Sequence, residues 1–443
     1  MPSLGLGLLM LVTLIAGLFG APFITLLMYV WMDHTAPQPQ LWGPLSVIPY
    51  SQLLGVIAAV GWLIHTKDKF KVVNPIFYMI ALFTVWICVT TFFAQMPDGA
   101  YWKWDRTMKV LLSSALVGLM LTSKWRFSAL FWTIVLAVGV YIVRGGVRTL
   151  ATGGGGDLIV GLDGTFVGER NTFATTVAGT LPLIYALIRY PIILPDAKWV
   201  RLSLWAVFAL GCITIVGSYS RSGMLALGAV LVLMVAAFSK RRVIMLGMFS
   251  GLVMLSIPFL PPDVLDRIQS IGDYQEDGSS TNRIDAWKFA VKIAIDSPVV
   301  GGGFKVFLKN VPPPEVKTND GYIDAHSFFF EILGEHGFIG IGLFCLLWIM
   351  TALSAVKIGR RRGGQDLKEP LEWHQVYGRC LVIGLCGYSL GGLFNALGSY
   401  AYFYLVFCTV GSLAVLSKSE KLVVASAPSI SLMKSKSLPI RAF

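Results

Sequence analysis

The chain has 443 residues, of which 55% are hydrophobic and only 14% are charged, and its mean hydropathy is +0.70. This composition excludes a soluble protein with an ordinary charged surface and predicts a membrane protein. The net charge of +12 is not accompanied by a basic run interleaved with exposed aromatic residues, so we expect no nucleic-acid partner.

Apolar segments of roughly 20 residues, long enough to cross a bilayer, recur along almost the whole chain. They predict an all-α, polytopic integral membrane protein with about 12 transmembrane helices. The predicted spans are 4–32, 45–64, 73–95, 107–122, 127–143, 172–189, 202–217, 222–238, 243–260, 338–356, 375–396 and 400–416. The first span is overlong and interrupted at Gly20-Ala21-Pro22, so we expect a broken or re-entrant helix there. The span 107–122 is short and needs its flanks to reach the interface.

Basic connections alternate along the chain and set the predicted orientation. They are KDKFK (67–71), SKWR (123–126), the loop from Arg189 to Arg201, SKRR (239–242), KIGRRRGG (357–364) and the C-terminal tail. Because short cytoplasmic loops carry the excess of Lys and Arg, both chain termini are predicted in the cytoplasm. The chain then divides into membrane helices over 1–260, a long outer segment over 261–325, membrane helices over 326–416 and a cytoplasmic tail over 417–443.

Ionisable side chains avoid the middle of the predicted spans and collect at the outer face. Ion-coupled transporters usually need such groups at depth, so this distribution disfavours a transporter and predicts chemistry at the outer membrane–water boundary. All six cysteines lie in apolar segments without metal-ligand spacing. We therefore expect no disulfide framework, no metal ion and no cofactor.

Arginines at the outer face are the candidates for binding an anion. Arg221 lies in a very short connection, GSYSRSG, directly before a helix whose N-terminal amides favour an anion, with interfacial snorkelling as the alternative. Arg170 in FVGERNTFA has the same placement, although Glu169 beside it could be its local partner. Arg144 and Arg148 are spaced i, i+4 at the end of a span, where they either form one cationic face or snorkel.

Two further stretches carry charge beside aromatic residues. Lys103 and Arg106 lie in YWKWDRT, which is typical of an interfacial belt, so we interpret them as anchors. SSTNRIDAWKFAVKIAIDSP predicts a capped helix over 282–296, able to lie on the membrane surface and roof a cavity. Its apolar side is predicted to carry Ile284, Trp287, Val291 and Ile295. Arg283 in its first turn shares a face with Trp287, so both packing and anion binding stay open.

The stretch DAHSFFFEILGEHGFIG, residues 324–340, marks the point where the outer segment re-enters the membrane. A helix from His326 would place Phe329 and Phe330 on the side of the histidine. Glu335-His336 does not make a zinc motif, because no HExxH pattern or Cys cluster accompanies it. A histidine near guanidinium groups and shielded by phenylalanines is suited to act as a base on a sugar hydroxyl.

Several of these motifs, in this order, resemble the O-antigen ligase superfamily of Wzy_C-type membrane glycosyltransferases. They are SYSRSG (218–223), NRIDAWKFA followed by DSPVVGGGFKVF (296–307), and DAHSFFFEILGEHGFIG (324–340). The broken first helix, WMDHTAPQP and GERNTFA are similar to the exosortase-system-associated O-glycosylation ligases within that superfamily. The resemblance covers about residues 1–416.

The resemblance implies transfer of a glycan from undecaprenyl diphosphate to an acceptor, for ligases proper a lipid A-core sugar, on the periplasmic side of a bacterial inner membrane. It implies that Arg221 binds the diphosphate and that His326 is the catalytic residue; Arg170 and Arg283 also map onto the diphosphate site, and Glu335 receives no role. Arg144 and Arg148 are also expected to bind the diphosphate, because their i, i+4 spacing can form one cationic face. The expected partners are the lipid-linked donor, the acceptor and membrane lipids.

Other functions stay open on the sequence alone. An O-antigen polymerase or a protein O-oligosaccharyltransferase would share the donor chemistry and differ in the acceptor. A transporter of lipid-linked glycans would need charged groups deep in a central cavity, and a scaffold protein would need no clustered outer arginines.

Overall fold

A computed structural model describes residues 2–35, 48–154, 168–239, 278–308, 325–361 and 369–426. These residues form helices and their connections, and no strand occurs among them, which confirms the all-α prediction. The helices are α1 (Pro2–Leu18), α2 (Pro22–Thr35), α3 (Tyr50–His65), α4 (Pro75–Phe92), α5 (Pro97–Met120), α6 (Lys124–Thr152), α7 (Arg170–Arg189), α8 (Lys198–Gly217), α9 (Arg221–Phe238), α10 (Gly278–Asp296), α11 (Phe328–Gly359), α12 (Trp373–Gly392) and α13 (Ala401–Ser426).

Within the described ranges, seven helices are long and apolar enough to cross a membrane by length and composition. They are α4, α6, α7, α8, α9, α11 and the part of α13 up to Ser419. This confirms a polytopic membrane protein, while the total of 12 spans stays a prediction. The predicted span 243–260 lies outside the described residues, as do the tail beyond 426 and the stretches 261–277 and 309–324 of the outer segment.

The interruption predicted in the first span is present, and the span consists of two helices. Gly20, with φ +106°, ends α1, and α2 then runs back along it. The hydroxyl of Thr25 donates to the carbonyl of Thr13 at 2.5 Å, and Met10 packs against Met28. The two helices are therefore antiparallel, and Pro2 lies at the same end of the bundle as Thr35. This arrangement predicts that Pro2 and the last turns of α13 lie on opposite sides of the membrane, in contrast to the sequence prediction of two cytoplasmic termini, and labelling decides between the two.

The bundle has two chemically different ends. One end, called the basic end here, carries the connections 66–74, 121–123 and 190–197 together with residues 360–361 and 369–372. The other, called the site end, carries the first turns of α5, α7, α9, α11 and α13 and the last turns of α6 and α12. By the distribution of Lys and Arg, the basic end is the predicted cytoplasmic end and the site end is the predicted outer end.

Two helices extend further than predicted at the site end. α5 begins at Pro97, so its first turns supply the flank that the short span 107–122 needed. α6 continues to Thr152, where Gly153 (φ +79°) caps it in the left-handed conformation. Lys103, Arg106, Arg144 and Arg148 therefore lie on helices rather than in outer loops.

A glycine-rich turn, residues 301–303, packs against the backbone of the first part of α11. Gly337, with φ +68° and ψ −171°, interrupts the helix, and a Cβ atom there would lie 2.5 Å from the carbonyl oxygen of Val299. The backbone amides of Gly302 and Gly303 donate to the carbonyls of Gly334 and Glu335 at 2.8 and 2.9 Å. The motifs DSPVVGGGF and GEHG are thus two halves of one backbone contact in which side chains would not fit.

Helix α10 packs on α11 with a face that differs from the predicted one. Ala286, Phe289, Ala290 and Ile293 are buried, whereas Ile295 is 64% exposed. Ile284 and Val291 are also exposed. The helix is apolar on two sides, so its sequence did not reveal which side packs against the protein. Its outward apolar side is suited to contact lipid, in agreement with a position at the membrane surface.

Candidate functional site

The first turns of α7 and α9 lie side by side at the site end, and each begins with an arginine. The hydroxyl of Ser220, the N-cap of α9, donates to the side-chain oxygen of Asn171 at 2.7 Å. Arg170 and Arg221 are the first residues of the two helices. We call them the arginine pair. The predicted tight connection before Arg221 is confirmed, since only three residues separate α8 from α9.

Glu169 does not serve as the partner of Arg170, contrary to one sequence interpretation. Its carboxylate accepts hydrogen bonds from the backbone amides of Asn171 and Thr172 at 3.2 and 2.9 Å and from the Thr172 hydroxyl at 2.5 Å. It is therefore the N-cap of α7. Among the described residues, Arg170 forms no ion pair within 4.0 Å.

Contacts of neighbouring residues link the arginine pair to the α12–α13 turn. The amide nitrogen of Asn395 donates to the hydroxyl of Ser222 at 3.2 Å. Ser222 directly follows Arg221, so the turn lies against the start of α9. Phe394, next to Asn395, faces Trp287 of α10 with 6.4 Å between ring centres.

Trp287 in turn holds the re-entry segment, residues 325–330. Its ring nitrogen donates to the carbonyl of Ala325 at 3.1 Å, and its ring stacks on Phe330 with 5.0 Å between centres. Arg283 lies one turn before Trp287 on α10, and His326 follows Ala325. The structure thus brings the backbones of Arg170, Arg221, Arg283 and His326 to one region of the site end.

His326 lies outside helix α11, contrary to the sequence interpretation. The helix begins at Phe328 after the N-cap Ser327, and His326 has a left-handed backbone with φ 42°. The predicted alignment with Phe329 and Phe330 on a common helix face is therefore wrong. The side chain is exposed, whereas Ser327 and Phe328 on its C-terminal side are buried. A positive φ in a residue with a Cβ atom is uncommon.

Arg144 and Arg148 are spaced i, i+4 on α6, as predicted. Tyr141 lies on the same side of the helix one turn earlier, and its hydroxyl donates to the carbonyl of Thr35 at 2.6 Å. The two arginines therefore line the side of α6 that packs against α2. The end of α6 lies beside the turn that precedes Arg221, because the hydroxyl of Tyr219 donates to the carbonyl of Gly153 at 3.2 Å. The assignment of Arg144 and Arg148 to the diphosphate site stays a prediction.

A buried ion network lies beneath the re-entry segment, and sequence reasoning missed it. The amino group of Lys103 contacts Glu331 at 2.6 Å and Glu335 at 2.7 Å, and all three side chains are at most 13% exposed. The amide of Gly398 donates to Glu331 at 2.8 Å, and the amide of Lys305 donates to Glu335 at 2.9 Å. The interpretation of Lys103 as an interfacial anchor is therefore wrong. Its partners lie 228 and 232 residues away in the sequence, and no motif spacing predicts a pairing over that separation.

His336 is buried next to this network. The hydroxyl of Thr90 donates to the carbonyl of Ile87 at 3.0 Å and lies 2.7 Å from Nδ1 of His336, so its oxygen accepts a hydrogen bond from that nitrogen. The ring nitrogen of Trp86 donates to the backbone carbonyl of His336 at 3.1 Å. These contacts tie α4 to α11 and give His336 a packing role.

A polar cavity of about 210 Å³ opens between α2, α3, α5, α7, α12 and α13. We call it the Asp33 cavity. Asp33, His34 and Arg106 line it together with Tyr388 and Tyr400. The guanidinium of Arg106 lies over the ring of Tyr400, 5.6 Å from its centre. Arg106, interpreted as an interfacial anchor from the sequence, therefore contributes to an internal cavity.

Among the described residues, no group of three or more His, Cys, Asp or Glu side chains is placed to hold a metal ion. All six cysteines are free thiols. The sequence suggested neither a metal nor a cofactor, and metal independence remains a prediction to be tested by activity.

Comparison with known families divides the chain into two regions. Residues 1–192 match a family of unknown function, DUF5935, and residues 206–345 match the O-antigen ligase family. The second match contains Arg221, Arg283 and His326, whereas Arg144, Arg148 and Arg170 lie in the first. No curated protein matches the chain significantly. The chain therefore carries an O-antigen ligase family domain, which indicates an O-antigen ligase-like membrane glycosyltransferase.

Proposed function

We propose that the protein transfers a glycan from undecaprenyl diphosphate to a hydroxyl of an acceptor at the periplasmic face of a bacterial inner membrane. The proposed acceptor is a lipid A-core sugar. The observation that carries the proposal is the arginine pair: two adjacent helix N-termini, joined by the bond from Ser220 to Asn171, each begin with an arginine. The O-antigen ligase family match over residues 206–345 supports the same reaction class.

A diphosphate is the ligand that this arrangement favours. The N-terminal amides of a helix carry a partial positive charge, and two such ends beside each other add their fields. A planar guanidinium can hold a phosphate through two parallel hydrogen bonds. When the bond between sugar and diphosphate breaks, the leaving group gains negative charge, and the same groups stabilise it in the transition state.

His326 is the proposed base. Its imidazole is exposed at the site end, and Trp287 holds the preceding residue, Ala325, through a hydrogen bond. We infer that this histidine takes the proton from the acceptor hydroxyl or orients that hydroxyl. The oxygen then forms its new bond to the anomeric carbon from the face opposite the diphosphate, so the configuration inverts. The electron pair of the broken bond leaves with the diphosphate.

The other arginines have supporting roles in this proposal. Arg283 is one turn from Trp287 and thus borders the re-entry segment, where a second phosphate or the glycan would pass. Arg144 and Arg148 provide positive charge on α6 near the end of α2. The reaction needs no ATP because the lipid diphosphate is already an activated leaving group.

An in vitro reaction tests the proposal. Purified full-length protein in nanodiscs is mixed with undecaprenyl diphosphate-linked glycan and with a lipid A-core acceptor, a protein acceptor or a second lipid-linked glycan. We expect a glycosylated lipid A-core product, formed equally in the presence of EDTA. Loss of product in EDTA, with recovery on adding one divalent ion, would refute metal independence. Absence of any product, combined with movement of the glycan across a proteoliposome bilayer, would show a transporter instead.

A further inference from the structure

The Asp33 cavity has no role in the mechanism above, yet it collects polar groups from six helices in the site-end half of the bundle. We propose that it binds one neutral sugar ring of a glycan substrate. This inference rests on the proposed function, because it takes the glycan from that reaction. It assigns the cavity a ligand class and names Asp33 and His34 as recognition residues.

The charges in the cavity favour a neutral ligand over a second diphosphate. The guanidinium of Arg106 and the carboxyl group of Asp33 line the same cavity. Lys109, the other cation in the lining, has its amino group 2.5 Å from a carboxylate oxygen of Asp105. A diphosphate would bring further negative charge next to these two acidic side chains, whereas a sugar adds no charge.

The available donors and acceptors match the hydroxyl groups of a sugar. Nδ1 of His34 lies 2.8 Å from the carbonyl of Val30, and a carbonyl can only accept, so Nδ1 carries the proton. The carboxylate of Asp33 accepts hydrogen bonds, while Ser51 and Gln52 can both donate and accept.

Aromatic walls complete the cavity. Tyr400 is held under the guanidinium of Arg106. Tyr388 and Tyr402 stack with 4.1 Å between their ring centres, and the hydroxyl of Tyr402 donates to the carbonyl of Gly179 at 2.7 Å. Fixed aromatic rings offer an apolar surface to the C–H face of a sugar. A volume of about 210 Å³ accommodates a single ring and not an extended glycan.

The cavity lies beside the proposed diphosphate site. Ser399 and Tyr400 line it, and they belong to the same α12–α13 turn whose Asn395 bonds to Ser222 next to Arg221. Thr176 lines it as well and lies on α7, six residues after Arg170, which is about 9 Å along the helix. A sugar ring attached to or approaching the diphosphate is therefore within reach of the cavity.

The recognition residues come from the region that matches the family of unknown function. Asp33, His34 and Arg106 fall within residues 1–192, outside the O-antigen ligase match at 206–345. This division assigns sugar selection to the first region and contact with the leaving group mainly to the second. Substitutions at Asp33 or His34 should therefore alter which glycan binds without altering binding of the bare lipid carrier.

Binding measurements on the full-length protein in nanodiscs test this inference. The probes are undecaprenyl diphosphate alone, undecaprenyl diphosphate carrying one N-acetylglucosamine, and an array of lipid-free oligosaccharides that includes lipid A-core oligosaccharides. The variants are Asp33→Asn and His34→Gln. Asp196→Asn is the matched control, because Asp196 pairs with an arginine, Arg201, at 2.7 Å but lies at the basic end. Size-exclusion profiles and melting temperatures establish that each variant is folded.

We expect both variants to bind the bare carrier like the wild type and to lose about tenfold or more in affinity for a sugar probe. If the variants lose affinity for the glycosylated carrier, the sugar ring in the cavity belongs to the donor. If they lose affinity for oligosaccharides of the array, the ring belongs to the acceptor. Unchanged binding of both sugar probes by both folded variants would overturn the inference, as would a wild-type protein that binds no sugar probe. If the wild type fails to bind the bare carrier, the proposed donor is wrong. Binding of the lipid-free oligosaccharides then still tests whether the cavity binds a sugar ring.

Discussion

Ser220 donates a 2.7 Å hydrogen bond to the side chain of Asn171, and this bond joins the starts of α7 and α9. Each residue is adjacent to one member of the arginine pair, so the bond fixes the spacing between the backbones of Arg170 and Arg221. The proposed binding of a diphosphate by both arginines depends on that spacing.

Lysine substitutions separate charge from geometry in the arginine pair. Arg221→Lys and Arg170→Lys keep the positive charge but remove the planar fork, so each should reduce glycan transfer by about 10- to 100-fold. The rate is measured on purified protein with a lipid-linked donor. Arg201→Lys at the basic end is the control and should transfer normally. If Arg221→Lys is as active as that control, Arg221 is an interfacial anchor and not a diphosphate ligand.

The buried ion network should be needed for stability. Lys103→Met leaves two carboxylates buried without their cation, which typically costs about 3–5 kcal/mol. We expect a clearly lower melting temperature in detergent. Lys109→Met is the control, because Lys109 and Asp105 form a pair that is 45% exposed and contributes only about 0–1 kcal/mol.

A triple variant, Lys103→Met with Glu331→Gln and Glu335→Gln, removes all three charges and should recover part of the lost stability. Equal melting temperatures for Lys103→Met and Lys109→Met would show that the network does not hold the site end together.

The close backbone contact between the glycine-rich turn and α11 predicts that a side chain at Gly337 would not fit. At Gly337 an alanine would meet the carbonyl of Val299 at 2.5 Å and adopt a backbone conformation that costs about 1–3 kcal/mol in strain alone. Gly337→Ala should therefore lower the melting temperature strongly. Gly139→Ala is the matched control, since a Cβ atom there meets nothing within 4 Å and alanine favours a helix. A Gly337→Ala protein as stable as Gly139→Ala would rule out this contact.

Sequence analysis succeeded where a local signal was sufficient. Gly20 ended a helix, the short GSYSRSG stretch produced the tight turn before Arg221, and the apolar runs became long helices. It failed where the outcome depended on distant partners. Nothing in the vicinity of Lys103 indicates that it pairs with Glu331 and Glu335.

Helix α10 illustrates a third cause of error. It carries apolar residues on two sides, and the sequence analysis identified only the side with Ile284 and Ile295. The side with Ala286 and Ala290 packs against the protein. Periodicity alone could not show which of the two sides packs.

Sidedness is tested by a membrane-impermeant maleimide on intact spheroplasts. A cysteine at Lys288, which is 66% exposed on α10, should react from outside, whereas one at Asp68 in the basic connection should not. Because α1 and α2 are antiparallel, an epitope tag placed before Pro2 should be accessible on the side of Lys288. The parent protein, whose cysteines lie in membrane helices, is the control. Labelling at Asp68 and not at Lys288 would invert the proposed orientation.

The most direct test of the central claim is the transfer rate of His326→Ala. The variant is purified in nanodiscs and supplied with lipid-linked donor and acceptor, while binding of bare undecaprenyl diphosphate is measured in parallel. Because the arginine pair is intact, we expect unchanged carrier binding, and because the acceptor hydroxyl loses its base, we expect transfer to fall about 100- to 10,000-fold. A folded His326→Ala protein that binds the carrier and transfers glycan at the wild-type rate would contradict the proposed catalytic role of this histidine.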